Sequence, residues 1–299
     1  MSARLLVPAA VLAVLALLVV LAPPLATGFG IDAWHVDLAH RLELPSASHW
    51  LGTDALGRDL LLRLCEGGRV SLLVGGVAAL AAAGLGTAIG LVAGYRGGRL
   101  DALLMRLVDG VISLPLLPLL VVLAALDLGK LGIPAEIAQS DAVSLYRIIV
   151  LVALVGWTTV ARLVRGATLS LRAQEFVRAA IALGASPLRI MLVHILPNLA
   201  TPIIVATTLS VGEIILLESV LSFLGLGVAP PMPSWGNMLT GAQETVALAP
   251  QLALYPGLLI LVTVIACNFL GDGLQEALDP RALRRRPARV RLAGAPPRA

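Results

Sequence analysis

RAQEFVRAAIALGASPLRIMLVHILPN, residues Arg172 to Asn198, is a charged island in an otherwise apolar chain. Phe176, Ala179, Ala180 and Leu183 recur at helical spacing, which predicts a short helix over Gln174–Leu183. Gly184 ends it, because glycine tolerates the left-handed conformation of a helix stop. Ser186 is a candidate N-cap for a second helix, with Pro187 in its first turn. That helix should run to about Ile195, and Leu196-Pro197 should stop it before the next apolar run. Apolar runs long enough to cross a membrane flank the island on both sides. It presents a small apolar face, Ala179 and Ala180, edged by Glu175 and Arg178. Two readings fit: a hairpin lying on the bilayer surface, or an element that slots into a groove on a soluble partner.

The rest of the chain supports the membrane setting. Of 299 residues, 58% are hydrophobic and 13% charged, and the mean hydropathy is +0.93. Soluble domains carry about 25% charged residues. A span needs about 20 apolar residues, and six runs qualify: Leu5–Leu21, Val70–Ala93, Leu107–Leu126, Tyr146–Val164, Leu199–Leu221 and Leu252–Leu270. Each should be a helix, which satisfies its own backbone in lipid. The first run follows Arg4 as a signal peptide would, but it is longer than the usual apolar core of one. It is expected to stay as an anchor over residues 1–22. An outer loop over 23–69, a five-helix core over 70–275 and a basic tail over 276–299 complete the division.

The net charge of +4 does not indicate nucleic acid, because the arginines gather in loops and near the C-terminus instead of covering a soluble face. Their distribution places both termini in the cytoplasm. One side would hold Arg4, Arg96, Arg99, Arg106, Arg162, Arg165, Arg172, Arg178, Arg189 and the tail cluster. The stretch Phe223–Gln251 has no basic residue.

Gly86, Gly90 and Gly94 make a smooth helix face suited to close approach in lipid, within the subunit or against another. Glu213 and Glu218 lie inside the fifth run, where a carboxylate usually faces the bundle interior or a wet cavity. Five residues apart, they point about 140° from each other, so only one can easily face a single translocation path; the resemblance described below makes Glu218 the better candidate and Glu213 the second. Gly52-Thr53-Asp54 and Gly57-Arg58-Asp59 suit tight turns, with Arg58 able to pair with either carboxylate. Trp235, after Pro230-Pro231, reads as an anchor at the headgroup level or as part of a gate. Cys65 falls in a polar stretch and Cys267 in an apolar one, so no disulfide is expected, and no His/Cys cluster suggests a metal. Catalytic constellations and a phosphate-cradling Gly-rich loop are also missing; the single lysine, Lys130, lacks the neighbours such a loop needs. The chain is therefore expected to be non-catalytic.

Arg178-Ala179-Ala180, then Gly184 and Leu196-Pro197, resembles the EAA motif of permease subunits in ATP-binding-cassette importers. Arg178 stands at the name-giving Glu position and His194 where Ile is common, as in the dipeptide/oligopeptide/nickel branch. LGTDALGRDLLLRLCEGGRVSL (Leu51–Leu72), LSFLGLGVAPPMPSWGNML (Leu221–Leu239) and GDGLQEALDPR (Gly271–Arg281) resemble the second permease of that branch, in the same order. The resemblance implies an all-α type I importer permease with a cytoplasmic coupling helix, in the bacterial inner membrane. It implies four kinds of partner: a homologous permease, two ATPases that use ATP and Mg, an external solute-binding protein and lipid. Glu175, Arg178, Ala179, Ala180, Gly184, Leu196 and Pro197 would serve ATPase coupling. Asp54, Arg58, Asp59 and Trp235 would serve an outer gate or binding-protein contact. A peptide or related solute, such as a nickel chelate, would be the cargo. The rival reading is a proton-driven secondary transporter using Glu213 and Glu218.

Overall fold

The computed structural model describes residues 3–28, 32–126, 129, 132, 134, 136 and 140–278. The expectations for Lys130 and for the arginines after residue 278 lie outside those residues. The described elements are helical: α1 (Ala3–Gly28), α2 (Leu60–Arg96), α3 (Gly98–Ser113), α4 (Leu116–Ala124), α5 (Asp141–Arg172), α6 (Glu175–Ala182), α7 (Ala200–Phe223), α8 (Trp235–Ala242) and α9 (Gln251–Leu278). Among the described residues, five helices are long and apolar enough to cross a membrane, and six spans result when α3 and α4 count as one broken span.

Several boundaries differ from the sequence expectation. The second span begins at Leu60, not Val70, because Asp59 caps it by accepting a hydrogen bond from the Leu62 amide at 2.9 Å. Cys65 is therefore buried inside α2 and not in a loop. The first helix runs on through Pro23 and Pro24 to Gly28. The third span is not one helix: α3 and α4 meet at 86°. Leu114 is extended there (φ −80°, ψ 138°) because it precedes Pro115, and a residue before proline is pushed out of the helical region.

Leu196-Pro197 is not a stop either. The chain stays helical from Pro187 to Phe223, through a π-helical stretch (Ile190–Ile195) and a 3-10 turn (Leu196–Leu199). Proline removes one N–H from the ladder, and the wide turn absorbs the mismatch: the Leu196 amide reaches back five residues to the Met191 carbonyl.

α2 is the central post and packs along α5. Ideal Cβ atoms on Gly86, Gly90 and Gly94 would collide with the α5 backbone at Trp157, Ala161 and Arg165. The glycine stripe thus serves packing inside this chain. Antiparallel to α2, α1 lies alongside: the Arg69 guanidinium donates to the Val19 and Val20 carbonyls at 2.9 and 2.7 Å. At the other end of the bundle Arg4 pairs with Glu276 at 3.6 Å.

Candidate functional site

Two regions at opposite ends of α2 carry the sequence-derived candidates. At the Arg96 end, α6 is seated by two side chains, Val177 and Ala180, which pack into a cluster with Leu91, Val164, Ile190 and Ile195. Its C-terminus closes in a Schellman arrangement: the Gly184 amide donates to Ile181 at 2.9 Å and the Ala185 amide to Ala180 at 3.0 Å. Gly184 has φ +78°, as the sequence anticipated. Ser186 caps the next turn by accepting from the Arg189 amide.

The expected partner-facing pair is only half right. Ala180 is 8% exposed and faces its own bundle, whereas Ala179 faces out with Glu175 and Arg178. The outward apolar patch consists instead of Phe176, Ile181, Leu183 and Leu188, with Leu183 88% exposed. Leu183 follows the last helical residue and lies on the same open side as Phe176 and Ala179. Leu196 and Pro197 belong to the rod beneath α6 and shape it.

Ion pairs fix this end. Arg165 donates to both Asp101 oxygens at 2.5 and 2.7 Å, and Arg162 donates to Asp109 at 2.6 Å. The Arg172 guanidinium stacks 5.7 Å from the Tyr95 ring centre. Bidentate guanidinium–carboxylate contacts are directional, so α3 is tied to α5, and Arg172 ties the end of α5 to α2.

At the Leu60 end, residues 32–59 fold over the bundle. Asp54 accepts from the Leu56 and Arg58 amides at 2.8 and 3.0 Å, and from Arg58 Nε at 2.8 Å. Arg63 stands on the same carboxylate with its Nε 3.5 Å away. Asp59 is buried, capping α2 and meeting His49 Nδ1 at 3.0 Å, so it is a structural residue and not a contact surface. Outside the spans, Asp37 and His40 pair at 2.7 Å; that contact lowers the carboxyl pKa and raises the imidazole pKa.

Trp235 corrects another expectation. It is fully buried, and its indole N–H donates to the Leu64 carbonyl at 2.9 Å, so it is neither a headgroup anchor nor an accessible contact. Its amide donates to Ser71 Oγ at 3.2 Å, and Ser71 in turn donates to Glu218 at 3.1 Å. Ser222 donates to the other Glu218 oxygen at 2.7 Å. Glu218 is thus sealed between α2, α7 and α8 with no exposed surface, contrary to its assignment to the path. A buried carboxylate is tolerated only when hydrogen bonds replace water, and these hydroxyls supply them. Glu213 is the carboxylate left exposed; it faces a cleft of about 480 Å³ with Thr158, Thr159 and Ser210. Ser71 and Ser222 were missed because hydroxyls in an apolar run give no periodic signal. The Glu218–Ser222 spacing of one helical turn was the available clue.

The described architecture is that of a multi-pass membrane protein with a short protruding helix. The family described as "Binding-protein-dependent transport system inner membrane component" matches residues 86–284, which include α6 and the whole Pro187–Phe223 rod. The chain belongs to this family. It is a permease of the kind found in ATP-binding-cassette importers. Three relatives align with most of the permease. The dipeptide transport system permease protein of Alkalihalophilus pseudofirmus is 42% identical over 81% of this chain and 75% of its own length. The oligopeptide transport system permease protein of Haemophilus influenzae is 40% identical over 78% and 70%. The glutathione transport system permease protein of Pectobacterium atrosepticum is 39% identical over 80% and 75%. Membership of this family leaves the proton-driven reading without support.

Proposed function

We propose that this permease takes peptides into the cytoplasm of a bacterium, with both termini on the cytoplasmic side. It works beside a homologous permease, two ATPase subunits that bind ATP and Mg, and an external solute-binding protein, and it performs no catalysis itself. α6 is the ATPase-docking element. The observation that carries this is the division of α6 into two faces. Val177 and Ala180 lock it to α5 and to the Pro187–Phe223 rod, while Phe176, Ile181 and Leu183 are left uncovered. A large exposed apolar patch on a polar loop marks an interaction surface. Movement of a partner on that patch pushes α6, and the locked face passes the displacement into α5 and α7. Interiors are close-packed and transmit such strain. The relatives above are named for dipeptide, oligopeptide and glutathione transport, and the proposal is confined to peptides; none of those names supports nickel.

Reconstitution into proteoliposomes tests the reading. Uptake of a labelled dipeptide should require ATP, the ATPases and the binding protein, and Leu183→Asp should abolish it while the chain still folds. Peptide uptake by this chain alone under a proton gradient would overturn it.

A further inference from the structure

A cavity of about 660 Å³ opens at the Leu60 end, between the turn over residues 54–58 and the α7–α8 connection. Its charged wall is Asp54, Arg58 and Arg63; its apolar wall includes Val228, Met232 and Met238. The volume suits a small ligand, since such sites run about 300–1,000 Å³ and pair apolar walls with a few placed polar groups.

Arg63 makes this cavity unusual. Its side chain is 8% exposed, and among the described residues Nη1 has no hydrogen-bond partner. Asp54 does not supply one: its Oδ2 is committed to Arg58 at 2.7 Å, and Arg63 reaches it only through Nε at 3.5 Å. Two guanidinium groups against one carboxylate leave a net charge of +1 on the wall. An unsatisfied buried donor on a charged group is costly, and a planar fork is suited to a carboxylate. A second carboxylate would neutralise the cluster.

We propose that this cavity is a carboxylate subsite, in which Arg63 holds the C-terminal carboxylate of a short peptide and the methionine-bearing wall takes its side chains. The identity of the solute rests on the peptide reading above; the anion preference rests on Arg63 alone. Arg58 stays bound to Asp54 and keeps the wall in place.

The test is direct binding to the full chain in phosphatidylcholine nanodiscs, with alanyl-alanine and its C-terminal amide as probes. The acid should bind at least about tenfold tighter than the amide, and Arg63→Gln should bring the two within about twofold. Arg63→Lys, which keeps charge without the fork, should retain part of the preference. Equal binding of acid and amide by the parent chain overturns the subsite, as does an unchanged preference in folded Arg63→Gln. If Arg63→Gln does not fold, the acid-to-amide ratio on the parent chain decides alone. A preserved preference in a reconstituted transporter that moves no peptide would leave the subsite standing and remove the importer reading.

Discussion

Gly84 and Gly86 lie two residues apart on α2, and alanine should cost more at Gly86 than at Gly84. An ideal Cβ on Gly86 would stand 2.5 Å from the Trp157 carbonyl oxygen, 2.8 Å from Val160 Cβ and 3.0 Å from the Ala161 amide nitrogen. These are backbone or branch atoms, which cannot swing aside. Carbon–oxygen contacts settle near about 3.3–3.6 Å, so α2 and α5 must part by most of an ångström along their tightest seam. Overpacking of this kind costs about 1–3 kcal/mol. Gly84 has nothing within 4 Å of its would-be Cβ. Alanine there only restricts the unfolded chain, a gain of about 0.4–1 kcal/mol. The same unfolded-chain gain acts at Gly86, so the two variants should differ by the overpacking alone, about 1–3 kcal/mol. At about 2–4 °C per kcal/mol, Gly86→Ala should melt at least 2 °C below Gly84→Ala. Thermal unfolding of the purified chain in detergent, followed by tryptophan fluorescence, reads this directly. If Gly86→Ala melts at or above Gly84→Ala, the close α2–α5 seam is refuted.

Other perturbations probe the two ends. Leu183→Ala should leave the stability within about 0.5 kcal/mol of the parent, as exposed positions do, yet weaken capture of the ATPase in a pull-down. Val177→Ala, on the seated face, should instead destabilise the chain by about 1 kcal/mol or more. Glu218→Ala strands the Ser71 and Ser222 hydroxyls and should cost about 1–3 kcal/mol, with Glu218→Gln recovering much of it; equal melting of Glu218→Ala and the parent would remove its tethering role. The His40 ring should titrate above its ordinary value, because ionised Asp37 favours the imidazolium. The pairing is present below the ordinary imidazole pKa and is lost as pH rises through the raised one. An NMR titration should show the His40 midpoint fall in Asp37→Asn, and an unmoved midpoint would exclude the pairing.

Local chemistry was legible in particular residues. Gly184, Ser186 and Pro187 were read as stop, cap and first turn, and their hydrogen bonds are local, so neighbouring residues suffice to specify them. The break at Leu114-Pro115 was equally local, but the apolar run around it masked the proline signal. At Pro197 the same signal misled, because a π turn let the helix continue. The hydrogen bond from Ser71 to Glu218 closes across 147 residues, and Trp235 reaches Leu64 across 171. No window of sequence holds both partners of either contact.

Composition and periodicity by themselves determined that the chain is a bundle of membrane-crossing helices with a charged helical island. The cost of unpaired backbone in lipid leaves few alternatives, and caps are written in adjacent residues. Which face of α6 is held and which is offered, that Glu218 is sealed while Glu213 is open, and that Arg63 is left short of a partner were decided only by tertiary packing. Burial depends on what other helices bring to the same place, and a linear pattern carries no record of that.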